Sequence, residues 1–370
     1  MAMAMSRPLK PESGREMTSI LEAIEYYNVH IAPDLVATGI IGPQSPYFMP
    51  HSTAAVLPQA FNETIHRGNA LRALARDIAE PERQTADLTL ASVHLLLLVE
   101  IQQSFDPPNW RHHCDGAAAM MEAKGGLGDL ILSRPHLCHL FRYYALHLEL
   151  VSLLPVLFGN GLETCFPCPS GLLAAIIRIN HLRAVFQQLS NPQNADFRLV
   201  QEGKHTAALD ILRHIRAFSA DKWAAEISAN HSTQENAVSR AGLSGWWDIG
   251  LIYQSAIAIY CILSLLQDTV HTGLLAGARV QCATVLHGRL REVSKSTQLR
   301  KLVIWPLVIA GIEARDDASK RFVVDELQWV SHALGTAAPL VAKDLLEKHI
   351  WGLWKANWDD LFDQPYVFVL

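Results

Sequence analysis

Trp305-Pro306-Leu307-Val308-Ile309-Ala310-Gly311-Ile312-Glu313-Ala314 is the stretch on which the reading of this chain turns. Pro306 stands one place into an apolar run whose only charge is Glu313. Proline is accepted in the first turn of a helix, because the N–H it lacks has no partner there. The stretch is therefore expected to open a buried helix, with Trp305 at its entrance and Gly311 where another backbone comes close. Arg321 follows Glu313 by eight residues.

Outward from this segment the apolar residues recur at spacings of three and four, and Pro, Gly and Asn cut the chain into pieces of helix length. No strand-length run alternates with period two. Helices are predicted over 57–79, from about 85 to 103, and over 110–123, 136–158, 172–189 and 197–218. Further helices are predicted over 246–266, 274–293, 299–314, 318–334 and 337–357, with a short helix and a loop in 221–245. Asp106-Pro107-Pro108-Asn109 is a hard stop, Asn109 a candidate cap, and Gly125 a helix end. The fold class is all-α, with roughly ten to thirteen helices. Residues 1–56 form a loosely structured lead with a short helix, and 57–370 a single all-α domain.

Of the 370 residues, half are hydrophobic and only 18 % are charged, with nine Trp, so the chain folds around a large core. A formal charge of −5 argues against unaided DNA binding, which draws much of its affinity from neutralised phosphates. The densest basic stretch (Arg289, Arg291, Lys295, Arg300 and Lys301) reads as a solvated helix face. Six cysteines are spread along a chain whose first residues lack the apolar core of a secretory signal, which favours reduced, buried thiols. Ile249–Leu266 carries no charge over 18 residues, a length that spans a bilayer. Gln254, Ser255 and Ser264 interrupt it and no basic flank orients it, so a central core helix is the better reading and no membrane is expected.

The segment at 305–314 resembles the "WP-L-IAG-EA" element of the fungal-specific transcription factor domain, the regulatory half of fungal zinc-cluster transcription factors. A second element agrees. Ser104-Phe105-Asp106-Pro107-Pro108-Asn109-Trp110, followed by Arg111-His112-His113-Cys114-Asp115-Gly116-Ala117 and Gly125-Gly126, is similar to that family's "W--H--GA----------GG". Tyr253–Leu266 is similar to its long apolar helix, and the likeness runs over about 85–335. It implies a compact multi-helix domain. The zinc cluster itself, six closely spaced cysteines, does not occur in these residues. The one CxxC, Cys165-Phe166-Pro167-Cys168, lacks a partner pair and is a weak metal signal.

Candidate chemistry is weighed against packing at each position. His112 and His113 are adjacent on a helix and point to different faces. The family resemblance makes His113 a structural residue. His136 and His139 share a face, with His147 and Glu149 beyond, but no ligand set closes, so neither metal nor cofactor is expected. If the chain were an enzyme, His113, Asp115, His147 and Glu149 would be its acid–base groups. Trp110, Trp246, Trp247, Tyr253 and Trp305 are the candidate lining of a ligand cavity, with core packing as the competing role. Glu313, isolated in an apolar helix, requires a partner, and Lys320 or Arg321 on the following helix is the expected one. Trp351, Trp354 and Trp358 fall on one helix face, for docking onto the body or onto a second copy.

The resemblance implies a transcriptional regulator of a fungal metabolic or secondary-metabolite pathway. Such a protein acts in the nucleus or cytoplasm through a small-molecule effector or a protein partner, homodimer included, and meets DNA only indirectly. The alternative is a repurposed helical isomerase or cyclase acting on a secondary-metabolite intermediate.

Overall fold

The computed structural model describes residues 72, 74–80, 83, 89, 90, 92, 93, 109–123, 125–133, 168–189, 197–231, 237–266, 272–334, 337–352 and 358–361. Among these residues the regular structure is helical and no strand occurs. In chain order the α-helices are α1 (Asn109–Glu122), α2 (Leu127–Ser133), α3 (Ser170–Leu189), α4 (Phe197–Ala217), α5 (Ala220–His231), α6 (Ala237–Leu265), α7 (Thr272–Val293), α8 (Ile304–Glu313), α9 (Asp317–Leu334), α10 (Ala338–Leu345) and α11 (Trp358–Leu361). The expected all-α class is what the chain adopts. The boundary at residue 56, the helix over 136–158 and most of the two helices before residue 104 lie outside the described residues.

Helix α6 is the axis. Its 29 residues run about 44 Å at ~1.5 Å per residue, and α3, α4, α5, α7 and α8 all pack on it. Leu243–Leu265 is apolar and long enough to cross a membrane, but 78 % of its most apolar stretch is buried inside the protein, as in a core helix. Gln254, one of its polar interruptions, reaches sideways. Its amide donates to the carbonyls of Ile215 (2.8 Å) and Phe218 (3.1 Å) and so caps the C-terminal end of α4. The helix begins nine residues earlier than expected, at Ala237 rather than Trp246. No proline lies in 237–244, and Gly242 and Gly245 each cost only about 1 kcal/mol relative to alanine, which the burial of α6 offsets.

The helix expected over 299–314 is two pieces. A 3-10 turn occupies Leu299–Leu302, Val303 leaves the helical region (φ −121°, ψ 26°), and α8 restarts at Ile304. Pro306 is the cause. A proline ring clashes with the carbonyl four residues before it, here that of Leu302, and cannot donate to it. The first backbone donor past the proline, Leu307 N–H, bonds Val303 O at 2.9 Å. The Leu302 carbonyl instead accepts the Tyr253 phenol of α6 at 2.8 Å. Burial, with Cys168 nearby, holds that phenol well above its ordinary pKa, so it stays protonated and donating.

Nine of the ten α8 residues are buried, Glu313 among them. The carboxylate does not pair with Arg321. Arg279 on α7 holds it, with Nε at 2.7 Å and Nη2 at 2.6 Å from Oε1. Arg321 lies on the exposed face of α9 and its Nε donates to Asp317 O. The register of α9 explains this. Asp316 caps the helix through the Ser319 N–H (2.8 Å) and hydroxyl (2.9 Å). Ser319, Val323, Glu326, Leu327 and Val330 then face inward, which turns position 321 outward. Glu326 finds its own fork, Arg300, at 2.6 and 2.9 Å, and that guanidinium lies 3.8 Å from the Trp329 ring. The basic stretch read as a solvated face is thus divided. Arg291 and Lys295 are exposed, while Arg289 and Arg300 are spent on Asp248 and Glu326.

The tail also departs from a single helix. After α10 the chain widens into a π turn, Leu346–Ile350, closed by Trp351 N–H to Leu346 O at 3.0 Å. Leu346 packs on Gly311 so closely that a Cβ there would sit 2.4 Å from its Cδ1. The extra residue of the π turn brings the Trp351 indole N–H to Gly311 O at 2.9 Å. Trp358, on the separate helix α11, packs edge-on against Tyr260 at 4.4 Å. Trp354 lies outside the described residues. The proposed one-helix tryptophan stripe is therefore broken, and its two described members dock on different parts of the body.

Three expectations follow. Tyr253→Phe leaves the Leu302 carbonyl without its phenol donor, and urea unfolding should show a loss of about 1–3 kcal/mol; an unchanged midpoint would mean the bond carries no weight. Removing one partner of the buried pair, as in Arg279→Met or Glu313→Gln, should cost about 3–5 kcal/mol, whereas Arg321→Ala should stay within about 0.5 kcal/mol; the reverse ranking would restore the Arg321 pairing. Burial first, then Arg291, lowers the pKa of His287 on α7 from its ordinary 6.5, and the Ala310 carbonyl and Asp316 oppose this only in part. A histidine with a depressed folded-state pKa stabilises the fold above its unfolded value and loses that contribution as pH falls. Stability should therefore decline as pH drops through 6.5, and His287→Gln should flatten that decline; identical pH profiles would contradict it.

Candidate functional site

The conditional acid–base set does not assemble into a described site. Asp115 is exposed on α1. His113 lies on the same helix, but its side chain, like that of Trp110, is outside the described residues, as are His147 and Glu149 altogether. Among the described residues no three His, Cys, Asp or Glu side chains gather. Cys168 and Cys261 are buried free thiols. Burial pushes Cys261 up to about 12, which keeps it protonated, and its Sγ–H points at Ala208 O on α4 (3.7 Å).

The candidate aromatic residues other than Trp110 are each placed by a helix crossing. Trp246, Tyr253 and Tyr260 recur at seven-residue intervals and form one stripe of α6. Trp246 meets Trp223 of α5 edge-on, with ring centroids 6.1 Å apart. Tyr253 bonds the Leu302 carbonyl. Tyr260 sits between Trp305 (5.9 Å) and Trp358 (4.4 Å). Its hydroxyl accepts from Arg183 Nη1 at 3.0 Å and donates to Asn180 Oδ1. Trp247 lies round the helix from this stripe, under the Arg289 guanidinium at 4.6 Å, and Arg289 in turn pairs with Asp248 at 3.2 Å. Burial raises the Asp248 carboxyl and the Arg289 bond opposes it. Trp246 and Tyr253 are only 2 % and 1 % exposed, so both serve as packing residues of the interior.

A concave site lies away from the candidate aromatic residues. Between α3 and α4 runs an open groove of about 480 Å³. Ile177 and Ile211 form its buried floor, with Leu182 and Ala207 on the walls. Arg178, His181 and Asp210 stand exposed at its rim. Asp210 already accepts from Arg213 at 2.7 Å. The signal for this site was available. Arg178 and His181, spaced i, i+3, are the polar exceptions with Asn180 in the otherwise apolar run Leu172–Leu182.

Comparison with known proteins agrees with the motifs. Residues 51–351 match the family model described as the fungal specific transcription factor domain. The chain is 29 % identical over 346 residues to a protein of Leptosphaeria maculans named the phomenoic acid biosynthesis cluster-specific transcriptional regulator. The match takes in 83 % of this chain and spans 59 % of that relative's length. No solved structure matches. With four-fifths of its length inside the family model and the family's apolar α8 element at its core, the chain belongs to the fungal-specific transcription factor domain family.

Proposed function

We propose that this chain is the regulatory domain of a transcriptional regulator controlling a fungal biosynthetic gene cluster. The observation that carries this reading is the likeness over 83 % of the chain to a protein named for cluster-specific regulation. The physical character of the chain supports it. The formal charge is −5, and two of the arginines, Arg279 and Arg300, are spent inside the protein on Glu313 and Glu326. Such a surface suits a module that acts in the nucleus on an effector or partner and reaches promoters through other sequences, since six clustered cysteines do not occur in these 370 residues. A small molecule or partner that favours one packing of the helices around α6 over another shifts the population of states and hence the output.

Disrupting the gene in its host and measuring transcripts genome-wide tests the proposal. The expected result is a loss of about tenfold or more across one contiguous block of biosynthetic genes, restored by re-expression. Unchanged transcripts under conditions in which such clusters are active would overturn it.

A further inference from the structure

We propose that the groove between α3 and α4 is an effector site for a small organic acid, a carboxylate on an apolar chain. The inference rests on the regulatory reading above and gives it a ligand class. An open groove of about 480 Å³ is of the size that takes a small molecule, and its described lining sets an apolar bed beside the polar side chains Arg178, His181 and Asp210. The bed is Ile177, Leu182, Ala207 and Ile211.

Charge selects the head group. Among the described residues the one acid at the rim is Asp210, and it is paired with Arg213. Arg178 has no ion pair, hydrogen bond or ring partner among the described residues, and His181 stands one turn along the same face. The groove therefore carries an uncompensated guanidinium above an apolar floor. A guanidinium presents two parallel N–H donors that match a carboxylate, and the seam between the helices receives the chain attached to it. A phosphate ester would call for further cations or a cluster of backbone N–H groups, and the described residues of the rim include a single arginine.

The site is also connected to the core. Ala208, next to Ala207 of the groove wall, accepts the Cys261 thiol of α6. Gln254 of α6 caps the end of α4, and Tyr253, its neighbour in sequence, holds the Leu302 carbonyl. An occupant that shifts α4 relative to α3 thus moves a helix tied at two points to α6, which gives a ligand differential contacts in two packings.

Titration calorimetry of the full chain with decanoate and with decanol, both below micelle formation, tests this. Decanoate is expected to bind with Kd below about 1 mM and decanol about tenfold more weakly. Arg178→Gln should reduce decanoate to the level of the alcohol, and Ala207→Trp, which fills the groove, should abolish binding of both. Circular dichroism and the urea midpoint of each variant check that it is folded. Absent decanoate binding, equal binding of acid and alcohol, or Arg178→Gln binding decanoate as the wild type does would each overturn the proposal. These results leave the transcript experiment untouched, so a failed ligand and a failed regulator are told apart.

Discussion

Pro306 removes a backbone donor in the middle of an apolar region, and the way the protein makes up for that loss organises its centre. The proline forces a break before α8 and frees the Leu302 carbonyl. Tyr253 of α6 occupies that carbonyl from inside the core. A buried carbonyl without a donor costs free energy, so the axial helix and the restarted helix are locked in one register. Gly311, five residues on, lets Leu346 come against α8, and the Trp351 indole closes on the Gly311 carbonyl. The middle of the chain, the α8 element and the C-terminal tail thus meet through hydrogen bonds to the backbone of one short segment.

Charge reinforces that register. Glu313 and Glu326 are both buried, and each is held by an arginine from another element, Arg279 and Arg300. Such pairs add little net stability compared with apolar residues of the same shape, but they are costly to break, because the survivor is left charged in a dry interior. They act here as position markers. The α7–α8 crossing has one arrangement that neutralises Glu313, and the 3-10 turn has one that lets Arg300 fork onto Glu326 and stack on Trp329.

Much of this was legible in the residues. Apolar spacing and breakers placed α3, α4, α7 and α9 close to their observed ends, because Pro192, Pro169 and the polar links between helices stop a helix locally. The helix start beside Pro306 was legible because proline is accepted in a first turn. What escaped was set at a distance. The break at Val303 comes from a clash reaching four residues upstream of Pro306, and the π turn from the close approach of Leu346 to Gly311. The partner of Glu313 lies on α7 rather than on the following helix, and Arg279 is the only Asp, Glu, Lys or Arg between Asp268 and Arg289. A lone cation in the otherwise uncharged stretch 269–288 is the complement of the lone anion of α8, and that pattern points to the pair. The α3/α4 groove does not follow from the aromatic residues, because its floor is aliphatic.

The central claim is that α8 is the segment around which the rest of the domain closes, which makes it the last to open. Native-state hydrogen exchange of the backbone amides of Leu307–Glu313 measures this directly. The account predicts that these amides exchange only when the whole domain unfolds, with an opening free energy equal to that from denaturant unfolding. Exchange of α8 through a local opening of much lower free energy, while α4 stays protected, would contradict it.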